Sequence, residues 1–369
     1  MIVLNYLKFH ISKSNKVISY CLYVSLCINL SPRKKERRLM SVFEQLNRVV
    51  ISHQPTPIEA MPRLSEKLGV NVFIKRDDCT GLAGGGNKTR KLEYLIGEAK
   101  SKGADTLITV GGIQSNHARQ TAAAAAKFGF DCELVLEDVP GTVKQDYYAN
   151  GNILLDKLFG AKIHRPELGT DCLEYAYELE KKLIKSGKTP FVIPLGGSSV
   201  VGSMGYVRCA NEIIKQAKDM SQQFDKILVA TGSAGTQAGL LTGLIAHSVN
   251  IPVIGICVSQ DTETKKDLVE ALLIESLNYL DMASGSATGR VITDGAYVGE
   301  GYGIHTTQTV EAINLCAQLE GVLLDPVYTG KGMAGLIDYC RSGKIKQGEN
   351  ILFIHTGGSQ GLFAYSEIF

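Results

Sequence analysis

The stretch KILVATGSAGTQAG, residues 226–239, decides the fold class of this chain. Its first part is a run of apolar and β-branched residues, which is typical of a buried strand, and its last part opens an apolar helix. Glycines and small polar residues join the two. A strand that leads through such a loop into a helix begins a βαβ unit, so the stretch predicts a parallel sheet covered by helices.

The same alternation of strand and helix recurs along the chain from Val72 onward. The other predicted strands are NVFIKRD (71–77), DTLITVGG (105–112), CELVLE (132–137), KIHRP (162–166), PFVIPLGG (190–197), PVIGICVS (252–259), GVLLDPVY (321–328) and NILFIHTGG (350–358). Segments of helical length separate them, and several strands are apolar throughout, as strands covered on both faces are. We therefore expect an α/β protein with open parallel sheets and flanking helices.

Length and charge bound the number of domains and the kind of partner. The 369 residues suffice for two domains at the usual ~150 residues each. A net charge of +2 provides no basic excess to drive nucleic-acid binding, so a small-molecule partner is favoured over a nucleic acid. The apolar run at residues 18–30 is shorter than the ~20 residues that span a bilayer, so no membrane partner is expected.

Nine cysteines are scattered along the chain without any C-x-x-C pair or close Cys/His pairing. This pattern indicates neither a metal site nor a redox motif. Free, mostly buried thiols in a reducing compartment fit it best, which predicts a cytoplasmic protein.

Residues 1–39 differ from the rest, because basic residues flank their apolar run and Met40 begins a plausible native start, MSVFEQLNRVV. The run resembles the core of a signal peptide, but a basic block follows it instead of a cleavage site. We interpret residues 1–39 as an N-terminal extension that is either disordered or the product of a misassigned start.

Many predicted strands end in glycine followed by a polar residue, as in VGGIQSN, LGGSS, ATGSAGTQAG and HTGGSQG. Each loop alone is equally well explained as an ordinary tight turn. Together they predict one shared site, because ligands of open α/β sheets bind at the carboxyl ends of the strands, where such loops converge.

One of these loops has the features of a phosphate site. Its backbone amides and hydroxyls lie where a helix begins, a position that attracts anions. The residues concerned are Thr231, Gly232, Ser233, Ala234, Gly235 and Thr236, called here the phosphate loop (residues 231–236). Their glycine spacing is not G-x-G-x-x-G and no Walker lysine is present, so a single phosphate monoester fits better than a dinucleotide, and a nicotinamide oxidoreductase is disfavoured.

A lysine in another glycine loop, GLAGGGNKT at residues 81–89, completes the chemistry. The loop is almost a P-loop, but Asn87 separates its last glycine from Lys88. A lysine together with a distant phosphate loop is what pyridoxal phosphate requires, because the amine forms a Schiff base while the loop holds the phosphate.

Five motifs, GGGNKTRKLEYL, VGGIQSNHARQ, TGSAGTQAG, DPVYTGKGMAGL and HTGG, occur in this order from about residue 45 to the C-terminus. Together they resemble the D-cysteine desulfhydrase and 1-aminocyclopropane-1-carboxylate deaminase family of fold-type II pyridoxal-phosphate enzymes. The resemblance implies a tryptophan synthase β-like fold with the cofactor between two domains. It implies a large domain of residues 40–90 plus 196–369, a small domain of residues 91–195, and a homodimer.

The resemblance also assigns roles to individual residues. Lys88 is expected to form the Schiff base, with Asn87 beside it, and Asn116 to contact the cofactor's 3-hydroxyl. The substrate carboxylate is expected near Gln114, Ser115, Asn116 and His117. Ser115 is also explained as a helix N-cap, and the two roles can coexist. Tyr302 and Tyr328 are expected to line the active site as catalytic residues, the alternative being that each tyrosine covers a turn.

Thr329 and Thr356 are expected near the cofactor and distinguish members of the family. Where the deaminase pattern has a glutamate and a leucine, this chain has two hydroxyl residues, as the desulfhydrase pattern has. A hydroxyl supports a weaker electron sink than a carboxylate, which suffices to expel a thiolate. The resemblance therefore favours β-elimination from D-cysteine to pyruvate, ammonia and hydrogen sulfide. Deamination of 1-aminocyclopropane-1-carboxylate, sulfite release from L-cysteate and a catalytically inactive cofactor-binding protein stay open.

Overall fold

The computed structural model describes residues 42–43, 45–139 and 145–369. The strands are β1 (Ile58–Ala60), β2 (Asn71–Arg76), β3 (Thr106–Gly112), β4 (Asp131–Glu137), β5 (Lys162–His164), β6 (Pro190–Ile193), β7 (Lys226–Thr231), β8 (Val253–Cys257), β9 (Val291–Asp294) and β10 (Asn350–His355). The α-helices are α1 (Pro62–Leu68), α2 (Lys88–Ser101), α3 (Asn116–Phe128), α4 (Gln145–Ala149), α5 (Asn152–Leu158), α6 (Cys172–Lys185), α7 (Val200–Asp219), α8 (Gly235–Ala246), α9 (Thr262–Tyr279), α10 (Thr307–Glu320) and α11 (Thr329–Arg341). The predicted extension of residues 1–39 lies outside the described residues.

The strands form two sheets. One sheet has six strands in the order β1-β2-β10-β7-β8-β9, and the other has four in the order β5-β4-β3-β6. Every pairing is parallel except that of β1 with β2. The predicted α/β class with parallel sheets and flanking helices is confirmed, while the predicted domain boundaries stay a prediction.

Strand β7 shows why the six-stranded sheet is covered on both faces. Ile227 and Val229 belong to the core cluster that includes leucines of α8 and α9. Leu228, between them, belongs to the opposite cluster, which includes Met333 and Leu336 of α11. Because successive strand residues point to opposite faces, an apolar run such as KILVA is stable only when helices cover both faces.

One predicted strand is wrong: residues 321–328 form no strand. The Asp325 carboxylate accepts hydrogen bonds from the amides of Val327, Tyr328 and Thr329, at 2.8–3.0 Å, and these bonds turn the chain into α11. Tyr328 therefore precedes a helix rather than ending a strand. The structure also contains two short strands, β1 and β9, that the sequence pattern did not predict.

The parallel arrangement brings loops from several parts of the chain together. The carboxyl ends of β3, β7 and β10 lead into the VGGIQSN, ATGSAGT and HTGG loops, and α2 begins at Lys88 beside them. Within the described ranges, no helix combines the length and the apolarity needed to cross a bilayer.

Candidate functional site

A pocket of about 400 Å³, partly open to solvent, lies where these loops meet. Ten predicted residues line it: Asn87, Lys88, Asn116, Thr231, Gly232, Ser233, Ala234, Thr236, Tyr328 and Thr356. Ala230 and Gln237 also line it and were not predicted. The structure thus brings the glycine loop of residues 81–89, called the lysine loop, and the phosphate loop to one cavity.

The loop before Lys88 is fixed by its glycines and by Asn87. Gly85 has a φ of 79°, and a Cβ there would lie 1.7 Å from a carbonyl oxygen, so only glycine fits. The Asn87 backbone amide donates to the Thr356 carbonyl at 3.0 Å, and its side-chain amide donates to Thr236 Oγ1 at 3.0 Å. Asn87 therefore connects the lysine loop to both the β10 loop and the phosphate loop.

Lys88 itself is only 9% exposed. Burial lowers the pKa of its amine from 10.5 to about 8, and a hydrogen bond with Lys91 opposes this shift only in part. At 1.36 kcal/mol per unit, the neutral amine costs about 1.4 kcal/mol at pH 7, against roughly 4 to 5 kcal/mol for an ordinary lysine. A larger fraction of this amine is therefore neutral at pH 7 than of an ordinary lysine.

Lys91 was not predicted, although its spacing from Lys88 could have revealed it. On a helix, residues three apart share a face. Lys91 Nζ donates to the Gly196 carbonyl at 3.0 Å and to Ser198 Oγ at 3.1 Å. Burial, and then the neighbouring Lys88, hold its pKa well below the ordinary value.

The phosphate loop joins β7 to α8 in a strained conformation. Ala234, the residue before α8, has a φ of 71°, and among the described residues no side chain caps the helix. The first amides of an α-helix lack partners within the helix, so this terminus offers unpaired donors to an anion. The Gly235 amide is an exception, because it donates to Ser198 Oγ at 3.0 Å.

The start of α3 carries both a cap and a pocket residue. Ser115 Oγ accepts a hydrogen bond from the Ala118 amide at 3.1 Å, which confirms its N-cap interpretation. Asn116 Oδ1 accepts from Asn152 Nδ2 at 2.9 Å, which leaves Asn116 Nδ2 as its donor atom. Ser115 does not line the pocket, so its predicted contact with substrate stays a prediction.

The side chains of Gln114 and His117 are engaged away from the pocket. Gln114 Nε2 donates to the carbonyls of Tyr147 and Asn150, at 2.7 and 2.9 Å. His117 Nε2 lies 2.8 Å from Thr109 Oγ1, a hydroxyl that donates its proton elsewhere, so the imidazole must be the donor. Burial lowers the pKa of His117 well below its ordinary value, and its contact with substrate stays a prediction, as does that of Gln114.

Tyr328 and Tyr302 form a hydrogen-bonded pair. Their hydroxyl oxygens are 2.6 Å apart, and their rings meet edge to face with centroids 5.9 Å apart. Burial raises the pKa of both phenols, so both are neutral and one donates to the other. Of the two, only Tyr328 lines the pocket.

The two threonines have different surroundings. Thr356 lines the pocket, whereas Thr329 is buried and donates its hydroxyl proton to Asp325 Oδ1 at 2.7 Å. Thr329 Oγ1 also accepts from the Asp325 amide at 2.8 Å. The predicted contact of Thr329 with the cofactor stays a prediction.

The residues present fit an aldehyde that carries a phosphate monoester. An uncapped helix terminus supplies donors for the phosphate, and a buried amine with a lowered pKa supplies the nucleophile for the aldehyde. A Cβ at Gly196 would enter the space beside Ser233 Oγ and lie 3.4 Å from Lys88 Nζ, so the glycine keeps the space between lysine and loop free.

Comparison with known proteins agrees with this chemistry. The family model described as "Pyridoxal-phosphate dependent enzyme" matches residues 50–357. The chain belongs to this family. It is a pyridoxal-phosphate-dependent enzyme, and pyridoxal phosphate is its cofactor.

Individual members of the family and solved structures are similar to this chain over most of its length. The D-cysteine desulfhydrases of Klebsiella pneumoniae subsp. pneumoniae and Salmonella typhi are each 47% identical over 311 residues, which cover 84% of this chain and 94% of each relative. A solved structure described as an ACC deaminase homologue is 40% identical, with a TM-score of 0.82, and the match covers 90% of this chain and 98% of that one. A solved threonine deaminase from T.th., at 18% identity, a TM-score of 0.63, and coverage of 87% of this chain and 97% of that one, shares the fold.

Proposed function

We propose that this enzyme converts D-cysteine and water to pyruvate, ammonia and hydrogen sulfide by β-elimination. The observation that carries the proposal is Lys88, a buried amine with a pKa of about 8 in a pocket that also contains Tyr328 and Thr356. The 47% identical relatives named D-cysteine desulfhydrase support the choice of substrate.

The phosphate loop and Asn116 are proposed to hold the cofactor. Bound pyridoxal phosphate supplies an aldehyde for the substrate amine and a ring that withdraws electrons from Cα. The uncapped α8 terminus suits its phosphate, and Asn116 Nδ2 is a donor for its ring hydroxyl. Thr356 is proposed to face the ring nitrogen, with a hydroxyl rather than a carboxylate.

Lys88 is proposed to remove the α-proton of the substrate. Its lowered pKa means that the neutral amine is available near pH 7 at a cost of about 1.4 kcal/mol, and general bases work best when their pKa lies near the operating pH. Because Lys88 is buried and lacks an acidic partner among the described residues, it keeps this property until an anion binds.

The start of α3 is proposed to bind the substrate carboxylate. Its dipole and its first amides attract a carboxylate, and Ser115 fixes the terminus as N-cap. The Tyr328 hydroxyl, which belongs to the same pocket, is proposed to donate a proton to the departing sulfur. Its raised pKa keeps that proton in place, and Tyr302 orients the hydroxyl.

Two other reactions compete with this proposal. The structural relative described as an ACC deaminase homologue favours deamination of 1-aminocyclopropane-1-carboxylate, which gives 2-oxobutanoate and ammonia. Release of sulfite from L-cysteate uses the same elimination with a different leaving group. The hydroxyl residues Thr329 and Thr356 support elimination of a good leaving group over ring opening.

A substrate panel separates these reactions. Purified enzyme is given D-cysteine, L-cysteine, 1-aminocyclopropane-1-carboxylate and L-cysteate in turn, and pyruvate, 2-oxobutanoate, sulfide and sulfite are measured. The proposal expects sulfide and pyruvate from D-cysteine at the highest kcat/KM. Preferential formation of 2-oxobutanoate or sulfite would reassign the substrate, and a cofactor-loaded protein without turnover would support the inactive alternative.

We further propose a cytoplasmic homodimer with the cofactor between a large and a small domain. The seven cysteines of the described ranges are all free thiols, which supports a reducing compartment. Sedimentation equilibrium tests the homodimer directly, and a monomeric mass would overturn it.

A further inference from the structure

Two buried lysines contact the loops of the site from outside the pocket. Lys265 of α9 is 1% exposed and Lys331 of α11 is fully buried. Neither lines the pocket, and neither forms an ion pair within the described ranges. A buried ammonium group is costly, so each needs a reason to be a lysine.

Lys265 holds the phosphate loop. Its Nζ donates to the carbonyl oxygen of Gly232, the second residue of that loop. Among the described residues, the Gly232 carbonyl is the acceptor shown for the Lys265 ammonium group. Gly232 lines the pocket, so the lysine holds the backbone of the loop that is proposed to bind the cofactor phosphate.

Lys331 holds a different loop, the tyrosine loop (residues 298–303). Its Nζ donates to the carbonyl oxygens of Val298 and Gly301, at 2.6 and 2.9 Å. Tyr302 follows directly, and Tyr365 Oη donates to the Gly303 carbonyl from the other end at 3.0 Å. The loop contains three glycines, which leaves its backbone dependent on such contacts.

The positive charge of Lys265 and Lys331 strengthens the hydrogen bonds that they donate to backbone carbonyls. A hydrogen bond from a charged donor is worth roughly twice a neutral one, and carbonyl acceptors turn that energy into a fixed backbone position. An apolar residue of the same size would cost less to bury but would leave the carbonyls unpaired. The residue type therefore fits a role in holding the two loops in place.

We propose that Lys265 and Lys331 are positioning residues with separate tasks. Lys265 holds the phosphate loop and thereby sets cofactor affinity, while Lys331 holds the tyrosine loop and thereby keeps Tyr302 against Tyr328. The task of Lys331 in turnover rests on the proposed function, whereas the task of Lys265 rests only on the cofactor.

Lys265→Met and Lys331→Met test the division, with Lys75→Met as matched control. Lys75 is another fully buried lysine that donates to a backbone carbonyl, that of Thr56 at 2.7 Å, but it contacts neither loop. Unlike Lys265 and Lys331 in the described ranges, it also pairs with Glu212 at 3.2 Å and donates to Gln216 Oε1 at 2.6 Å, so its replacement tests the loss of a buried lysine away from the two loops. The dissociation constant of pyridoxal phosphate is measured by titrating cofactor-free enzyme. We expect Lys265→Met to raise that constant roughly tenfold or more, and both other variants to change it by less than about threefold.

Turnover of D-cysteine at saturating cofactor gives the second readout. Lys331→Met is expected to lower kcat on the order of 100-fold with little change in KM, because Tyr302 loses its position. In a Tyr302→Phe background the same substitution should have a much smaller effect, since the hydroxyl that it positions is already absent. Equal losses in both backgrounds would overturn the assignment.

Amide hydrogen exchange of the tyrosine loop needs no substrate and gives the third readout. Exchange at residues 298–302 should rise in Lys331→Met and stay unchanged in Lys265→Met and Lys75→Met. If D-cysteine is not the substrate, the affinity and exchange measurements still decide the proposal, so its failure is distinct from that of the proposed function.

Lys265→Gln and Lys331→Gln guard against variants that do not fold. Glutamine keeps an N–H donor without the charge, so each is expected to recover part of the lost affinity or turnover. The proposal is overturned if the two Met variants change affinity and kcat alike, or if neither changes its assigned readout.

Discussion

Two consecutive helices on the same face of the six-stranded sheet, α8 and α9, begin in opposite ways. Asp261 caps α9, because its carboxylate accepts from the Thr264 amide at 2.9 Å. Helix α8 has alanine at that position, which forms no side-chain cap, and among its first amides that of Gly235 is the one shown to donate to a side chain of the described residues, Ser198. The anionic cap of α9 gives one of its first amides a hydrogen-bond partner within the protein. Helix α8 lacks such a cap, so its terminus is left available to an anionic ligand.

The absence of an N-cap side chain lowers the stability of α8, and this loss marks its terminus as a ligand site. An N-cap is worth about 1 kcal/mol, so α8 gives up stability that α9 keeps. Ala234 adds strain with its φ of 71°. Lys88 lies in the same pocket, and it also lacks an anionic partner among the described residues. The missing charge at α8 and the uncompensated charge at Lys88 both fit one anionic cofactor.

The largest effect is expected from a substitution that removes the Lys88 amine and leaves the α8 terminus intact. Lys88→Ala should lower kcat/KM for D-cysteine by at least about 10⁴-fold, because base and covalent anchor are lost together. The visible absorbance of the bound cofactor should disappear as well. Lys88→Arg is the matched control, since it keeps the charge but not the chemistry, and it should be equally inactive. Turnover that survives in either variant would contradict the role of Lys88.

The uncompensated amine also predicts a pH dependence of stability in the cofactor-free protein. Lys88 has a pKa of about 8 when folded and about 10.4 when unfolded, so the folded state carries the full penalty below pH 8 and loses it as pH rises toward 10. Lys88→Met should therefore be more stable than the wild type by about 3 kcal/mol at pH 7, and this advantage should vanish above about pH 10. Urea unfolding across this range measures it, and a constant difference would show that the amine is not the cause.

Giving α8 a negative charge like that of α9 should expel the cofactor. Ser233→Asp introduces a carboxylate into the phosphate loop, and we expect the dissociation constant of pyridoxal phosphate to rise on the order of 100-fold. Ser233→Asn has the same size without the charge and should change the constant much less. Equal effects of both variants would mean that shape rather than charge governs binding at this terminus.

The smallest effect is expected from a substitution that removes the N-cap side chain of α9. Asp261→Ala should lower the free energy of unfolding by about 1 kcal/mol, because the Thr264 amide loses its acceptor. Cofactor affinity should not change, since Asp261 does not line the pocket. Thermal unfolding and cofactor titration of the same variant check both halves, and a loss of affinity would break the contrast between the two helices.

Local patterns in the sequence predicted most of the fold and the phosphate loop, and the family resemblance added Asn116, Tyr328 and Thr356 to the predicted pocket lining. The strand, glycine loop and helix of residues 226–239 are adjacent in the chain, so their arrangement follows from their own residues. Lys88 was predicted from its glycine loop and the distant phosphate loop, whereas Asn116 was assigned by the family resemblance. The two residues are the first residues of α2 and α3.

The features that the sequence did not predict depend on contacts between distant segments. Residues 321–328 were predicted as a strand because their apolar run hides the effect of Asp325, whose carboxylate turns the chain. Lys265 and Lys331 look like ordinary helix lysines until the fold brings Gly232 and Gly301 to them. The chemical roles of the predicted site residues stay predictions that the variants above test.

The most direct test of the central claim measures sulfide and pyruvate together from purified enzyme and D-cysteine, with L-cysteine in parallel. The account predicts equal amounts of the two products from D-cysteine, much less from L-cysteine, and neither product from Lys88→Ala. A cofactor-loaded wild-type enzyme that releases no sulfide from D-cysteine would contradict it.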